Sequence, residues 1–114
     1  MTDIYYGTGW FSKTKVGECG NGDIYKGTGW SSTIIGSYSD GSVYSGSGWS
    51  RTIIGSYENG NVYSGSGWSR SLVGSYSDGS IYSGSGWLSK SLVGSYDGID
   101  GGAAAAALLL LLNK

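Results

Sequence analysis

The sequence predicts an all-β fold: five tandem β-hairpin repeats of about 19 residues in a closed or near-closed pseudo-symmetric array, followed by a short apolar C-terminal helix. Three observations predict it. The tryptophans Trp10, Trp30, Trp49, Trp68 and Trp87 are spaced 20, 19, 19 and 19 residues apart. Asp-Gly or Asn-Gly recurs once per interval between aliphatic-aromatic runs. The large apolar residues are chiefly Trp, Tyr, Ile, Val and Leu, with a single Phe and a single Met, a bias that suits pleated, half-buried surfaces.

Aligned on Trp, each copy reads Ile/Val-Tyr, Gly-x-Gly-Trp, a short polar stretch, an aliphatic pair and Gly-Ser-Tyr, as in Ser42-Val43-Tyr44-Ser45-Gly46-Ser47-Gly48-Trp49 followed by Ile53-Ile54-Gly55-Ser56-Tyr57. Ser39-Asp40-Gly41, Glu58-Asn59-Gly60 and Ser77-Asp78-Gly79 join one copy to the next. Asp-Gly and Asn-Gly supply the positive φ angles of a type I′ turn, so the hairpins straddle the copy boundaries. About ten short strands follow, with Gly-x-Gly-Trp and the polar stretch forming the wider connection at the other end. From Trp to the strand glycine is six residues in the middle copies but seven from Trp10 to Gly17 and from Trp87 to Gly94. One extra residue is absorbed by a surface loop and not by a strand, where it would flip the side chains across the sheet. A lone hairpin is marginal in water, so neighbours must bury one another's apolar faces, and closure removes sheet edges that neither charge nor Pro protects.

The chain is read as a hairpin domain over 1–98, a Gly-rich linker over 99–102 and an Ala/Leu helix over 103–114. Ala and Leu are the best helix formers, and Asp100 and Lys114 suit the two helix ends. The helix is apolar all round and must be buried. Its ten apolar residues rise only about 15 Å, half of a bilayer core. Plugging the ring, bundling with other copies and dipping into a membrane interface are its three fates, and the lack of a polar face argues against the last. Five leucines exceed the interior expected of five hairpins, so the tails are expected to meet at the axis of a homo-oligomer.

Seven Lys and Arg against eight Asp and Glu give a formal net charge of −1, which offers nothing to a polyanion and excludes a general nucleic-acid binder. Histidine is absent, and Cys19 is the single cysteine, so neither a disulfide nor a Cys/His metal site is expected. Cys19 occupies a slot where other copies carry Tyr, which assigns it to packing. No basic stretch with a long apolar run opens the chain, from which a cytoplasmic location is expected. Asp40, Glu58 and Asp78 fall at hairpin turns, a conformational role, and no convergent acid, base and nucleophile are present, so no enzyme and no cofactor are expected. Gly-x-Gly lacks a third Gly and a helix to receive a phosphate.

One constellation carries chemistry. Lys13, Arg51, Arg70 and Lys90 each stand two or three residues after Trp10, Trp49, Trp68 and Trp87, while the copy of Trp30 has Ser32 in that place. These residues form a Trp-rich basic rim that fits a glycan or a small anion, by stacking and ion pairing. The structural alternative is that Trp belongs to the core under the aliphatic stem of its basic neighbour.

The run Asp78-Gly79-Ser80-Ile81-Tyr82, with Gly84-x-Gly86 and then Leu92-Val93-Gly94, iterated in tandem over residues 3–98, resembles the short repeats of the bacterial β-flower proteins. The resemblance implies a rotationally pseudo-symmetric array of hairpins and no established activity; five copies depart from the fourfold symmetry of that family. Tyr-Ser-Gly-Ser-Gly-Trp is also similar to MORN repeats, whose period is longer, and to choline-binding wall repeats. Two functions are expected: a structural or assembly protein that self-associates through its tail, and a module binding carbohydrate or a small anion at the Trp/basic rim.

Overall fold

The structure, a computed structural model, describes residues 1–9, 13–46, 50–85 and 90–112. Long and short strands alternate: β1 (Thr2–Tyr6), β2 (Thr14–Gly20), β3 (Asp23–Lys26), β4 (Thr33–Ser39), β5 (Ser42–Ser45), β6 (Thr52–Glu58), β7 (Asn61–Ser64), β8 (Ser71–Ser77), β9 (Ser80–Ser83) and β10 (Ser91–Asp97). Every pairing is antiparallel, and β1 pairs with β10 to close the barrel. The tight turns have the expected form. Asn21, Asp40, Asn59 and Asp78 have φ between 47° and 52°, and the glycines after them have φ between 82° and 87°, the left-handed pair that a type I′ turn requires. At the β10–β1 seam no turn exists, yet Tyr96 lies opposite Ile4 as Tyr38 lies opposite Val43. The two ends of the chain thus assemble one more hairpin.

On its other side each short strand meets the next long strand through a β-bulge. Tyr25 pairs with Ile34 and Ile24 with Gly36, which leaves Ile35 as the extra residue; Ile54, Val73, Val93 and Val16 hold the same place in their strands. Two adjacent aliphatic residues on a regular strand would face opposite ways. Ile34 and Ile35 do so, with Ile34 43% exposed and Ile35 packed on the core, and the bulge then lets the following Gly36 face inward as well. The short strands contribute a fully buried ring of Ile4, Ile24, Val43, Val62 and Ile81.

The lumen is filled by the chain's own tail. Helix α1 (Gly101–Ala107) continues without a break as a π-helical turn, Leu108–Leu112. It starts two residues before the expected position, so Gly101 and Gly102 belong to the helix; Asn113 and Lys114 lie outside the described residues. All five alanines are buried to 1% exposure or less within a single chain, and so is Leu108. Each leucine faces one strand glycine, in reverse order along the chain: Leu108 with Gly94, Leu109 with Gly74, Leu110 with Gly55, Leu111 with Gly36 and Leu112 with Gly17. A methyl group on Gly55 would sit 2.6 Å from Leu110 Cδ1 and would also strike the Tyr63 carbonyl. The helix expected to join copies at a common axis therefore finds its apolar partners in its own wall.

The polar end of the helix is fastened at the turn end of the barrel. The Asp100 backbone N–H donates to Thr2 Oγ1 at 2.9 Å, the Tyr38 hydroxyl donates to Asp100 Oδ2 at 3.1 Å, and the Cys19 thiol points at the Asp100 carbonyl at 3.9 Å. The Tyr96 and Tyr57 rings press on the backbone of Gly101 and Gly102, leaving no room for a side chain. Cys19 is fully buried in the slot that Tyr occupies elsewhere. Burial, with the Asp100 charge adding to it, pushes its thiol from an ordinary 9.0 up to about 12. Burial is also the main cause that lifts the Tyr38 hydroxyl from 10.0 to about 12.

Three outcomes are expected. A chain ending at Asp100 loses the near-UV circular dichroism and cooperative unfolding of the full chain; a folded shortened barrel would show that the lumen tolerates being empty. Gly55→Ala lowers stability by about 1–3 kcal/mol in urea unfolding, the usual cost of overpacking. Cys19 and Tyr38 are protonated in the folded state and ionise near their ordinary values once unfolded. Stability is therefore fully present below pH about 9 and falls as pH rises from there through about 12. Urea midpoints across this range check the slope, and Cys19→Ser should flatten its lower part.

Candidate functional site

Tyr5, Tyr44, Tyr63 and Tyr82 precede their bulges on the short strands and face outward, opposite in phase to the buried Ile and Val beside them. A cation lies over each ring: Lys13 Nζ is 4.5 Å from the Tyr5 centroid, the Arg51 guanidinium 4.1 Å from Tyr44, the Arg70 guanidinium 4.0 Å from Tyr63, and Lys90 Nζ 4.5 Å from Tyr82. Such contacts contribute about 0.5–1 kcal/mol at exposed sites. The four bases singled out in the sequence thus share one arrangement on the outer wall, and the aromatic group beneath each is Tyr. Arg70 also donates to Glu58 Oε1 at 3.0 Å. The Ile/Val-Tyr pair present in every copy was the available signal for these tyrosines.

The tryptophans stand elsewhere. Trp30 is fully exposed on a 3-10 turn, Gly29–Ser31. Trp68 lies on the corresponding turn, Gly67–Ser69. Trp10, Trp49 and Trp87 lie outside the described residues. At Trp30 the core reading does not hold.

Beside the stacked cations the wall is grooved. One groove, of about 280 Å³, has Asn61, Leu72, Gly74 and Ser75 along its floor and Gly84, Ser85 and Lys90 at its lip. A second, of about 320 Å³, has Ser80, Leu92, Gly94 and Ser95 in the same places, and Gly7, Thr8 and Lys13 at its lip. The strand register explains the equivalence: Asn61 pairs with Ser75, and Ser80 with Ser95. Each groove lies beside the bulge, where the second aliphatic residue and the glycine both face inward and Leu72 or Leu92 stays outside as an apolar ledge beside hydroxyl and amide groups.

Ser95 Oγ, in the second groove, is buried without a hydrogen-bond partner among the described residues, and so is Ser37 Oγ at the matching register position of β4. A buried hydroxyl without a partner costs about 1–3 kcal/mol. A third cavity, of about 280 Å³, opens at the leucine end of the lumen between Ser45, Ile54, Ser64, Leu110 and Leu111. Among the described residues no group of three or more His, Cys, Asp or Glu side chains is placed to hold a metal, and no helix is long and apolar enough to cross a membrane.

One position departs from the pattern. On β1 and β2, Lys15 and Glu18 replace the outer aliphatic residue and the serine of the other repeats, and Asp3 stands where β5, β7 and β9 carry Ser42, Asn61 and Ser80 and β3 carries Asp23. Lys15 Nζ lies 3.0 Å from Asp3 Oδ1 and 3.3 Å from Glu18 Oε2. The hydrogen bond to Asp3, more than the charges, raises the Lys15 pKa above its ordinary value.

Comparison with known proteins adds no relative: no protein family, curated protein or solved structure matches the chain.

Proposed function

We propose that the chain is a multivalent binding module for saccharides, held on the outer wall of a self-filled barrel. The observation that carries this reading is the recurrence of the same groove in successive repeats, with the same residue types on the floor and a cation at the lip. A groove of this size matches one sugar ring. Leu72 or Leu92 offers an apolar ledge for the C–H face of the ring, and Asn61, Ser75 and Ser80 offer donors and acceptors to its hydroxyls. Each single site would be weak, since the grooves are shallow and exposed. Repetition around a rigid wall supplies avidity toward a repetitive polymer. The exposed Trp30 beside this wall adds a stacking surface for a longer glycan.

An assembly role is the first function expected of such a chain, with saccharide or anion binding as the alternative. The leucines that would have served it are engaged with their own wall glycines, so contacts between copies would use the outer face, in competition with the grooves.

Binding is tested by titrating the full chain with a panel of neutral and acidic oligosaccharides, beside the double variant Asn61→Leu, Ser80→Leu. These two outward positions fill and depolarise two grooves without touching the core. The expected result is at least a tenfold loss of affinity with an unchanged urea midpoint. Equal binding by the variant, or no binding of any saccharide by the natural chain, sinks the proposal.

A further inference from the structure

We infer that the ligand is an acidic saccharide, read by Lys13 and Lys90, and that the groove over β1 and β2 is closed to it because the chain's own Lys15 already fills that place. This inference rests on the saccharide-binding reading and narrows it.

The evidence is the contrast between equivalent positions. The two open grooves have no carboxylate on the floor and one ammonium group at the lip, so each presents a net positive charge to a carboxylated sugar. The ammonium of Lys90 or Lys13 is held in place over a tyrosine ring. It is exposed, and an ammonium group carries three N–H donors that a carboxylate can accept from without leaving the ring. At the β1–β2 position the lip cation is missing, since Ser32 stands where the other repeats carry a base. Two carboxylates, Asp3 and Glu18, stand where the two open grooves have Asn61 with Ser75 and Ser80 with Ser95, and the outer aliphatic ledge is Lys15, paired to both. Two negative charges and one positive charge leave this position with a net charge of −1. An anionic ligand would meet repulsion there and find its cation already taken. A neutral sugar would meet only the loss of space.

Lys15 and Glu18 stand at this position alone, and Lys15 pairs with both Glu18 and Asp3 at the register positions that line the two open grooves elsewhere.

The probe is D-glucuronate, with methyl glucoside as the neutral control, followed by amide chemical shifts of the natural chain. Gly74 and Gly94 report on the two open grooves and Gly17 on the closed one. Glucuronate is expected to shift Gly74 and Gly94, with at least tenfold weaker effects from methyl glucoside and none at Gly17. The triple variant Asp3→Ser, Lys15→Leu, Glu18→Ser should make Gly17 respond, and its urea midpoint separates a reopened groove from a damaged barrel. Equal response to the two sugars, a Gly17 response in the natural chain, or a silent Gly17 in a folded triple variant overturns this inference while leaving saccharide binding standing. Silence toward both sugars at every glycine removes the inference; binding of saccharides then stands or falls on the oligosaccharide titration.

Discussion

The interlock of five wall glycines with five consecutive leucines is the constraint on which the rest of the structure depends. A ten-stranded barrel is too wide to be filled by its own short-strand side chains, which here are Val and Ile. Something must occupy the axis, and a helix is the only regular element that satisfies its own backbone there. Its first half carries alanines, the smallest side chains that keep helix propensity, where the Ile/Val ring and the tyrosines crowd inward. Its second half carries leucines, where the wall withdraws to glycine. An α-helix turns by roughly 100° per residue, whereas successive walls of a fivefold array are about 72° apart. The widening from i→i+4 to i→i+5 pairing at Leu108 reduces the turn per residue and lets successive leucines meet successive walls.

That interlock also explains why closure does not depend on a covalent turn at the seam. The β10–β1 pair has the register of the other hairpins, but its strands come from opposite ends of the chain. Thr2 receives the backbone N–H of Asp100, and Asp100 begins the turn into the helix. One residue therefore ties the first strand, the last strand and the axial helix together. Helix docking and barrel closure are parts of one event, and the burial of Cys19 and Tyr38 beside Asp100 makes the same point sensitive to alkaline pH.

Much of the fold was legible in the sequence because its signals are local. The Asp-Gly and Asn-Gly turns, the alternation in Val43-Tyr44 and the regular tryptophans each act within a few residues, and the strands lie where they placed them. The position of the helix was not legible by the same means. Whether five leucines fit inside depends on the width of the closed wall, and that width depends on Gly17, Gly36, Gly55, Gly74 and Gly94 facing inward. The decisive sign was present as a matching count, five leucines for five repeat glycines. The aliphatic pair concealed it, since Ile34-Ile35 placed on a regular strand gives no hint of a bulge. The bulge likewise hid the site. The sequence directed attention to the tryptophans, whereas the bases lie over Tyr5, Tyr44, Tyr63 and Tyr82, whose pairing with those bases follows only from the structure.

The core contacts and the outer grooves share that bulge. Ile35, Ile54, Val73 and Val93 face inward and supply the layer of apolar contacts around the leucines, and beside the same distortion the outer face opens between an aliphatic ledge and a stacked cation. A repeat therefore cannot tighten its core contact by regularising the strand without losing its groove. The outward side chains can differ without touching the core: the β1–β2 position carries Asp3, Lys15 and Glu18 outside while Val16 packs on the core and Gly17 faces Leu112. The inner pattern is fixed by the helix, and the outer pattern is free to diverge. On the saccharide-binding proposal, differences among the repeats on the outside are for that reason where specificity would be set.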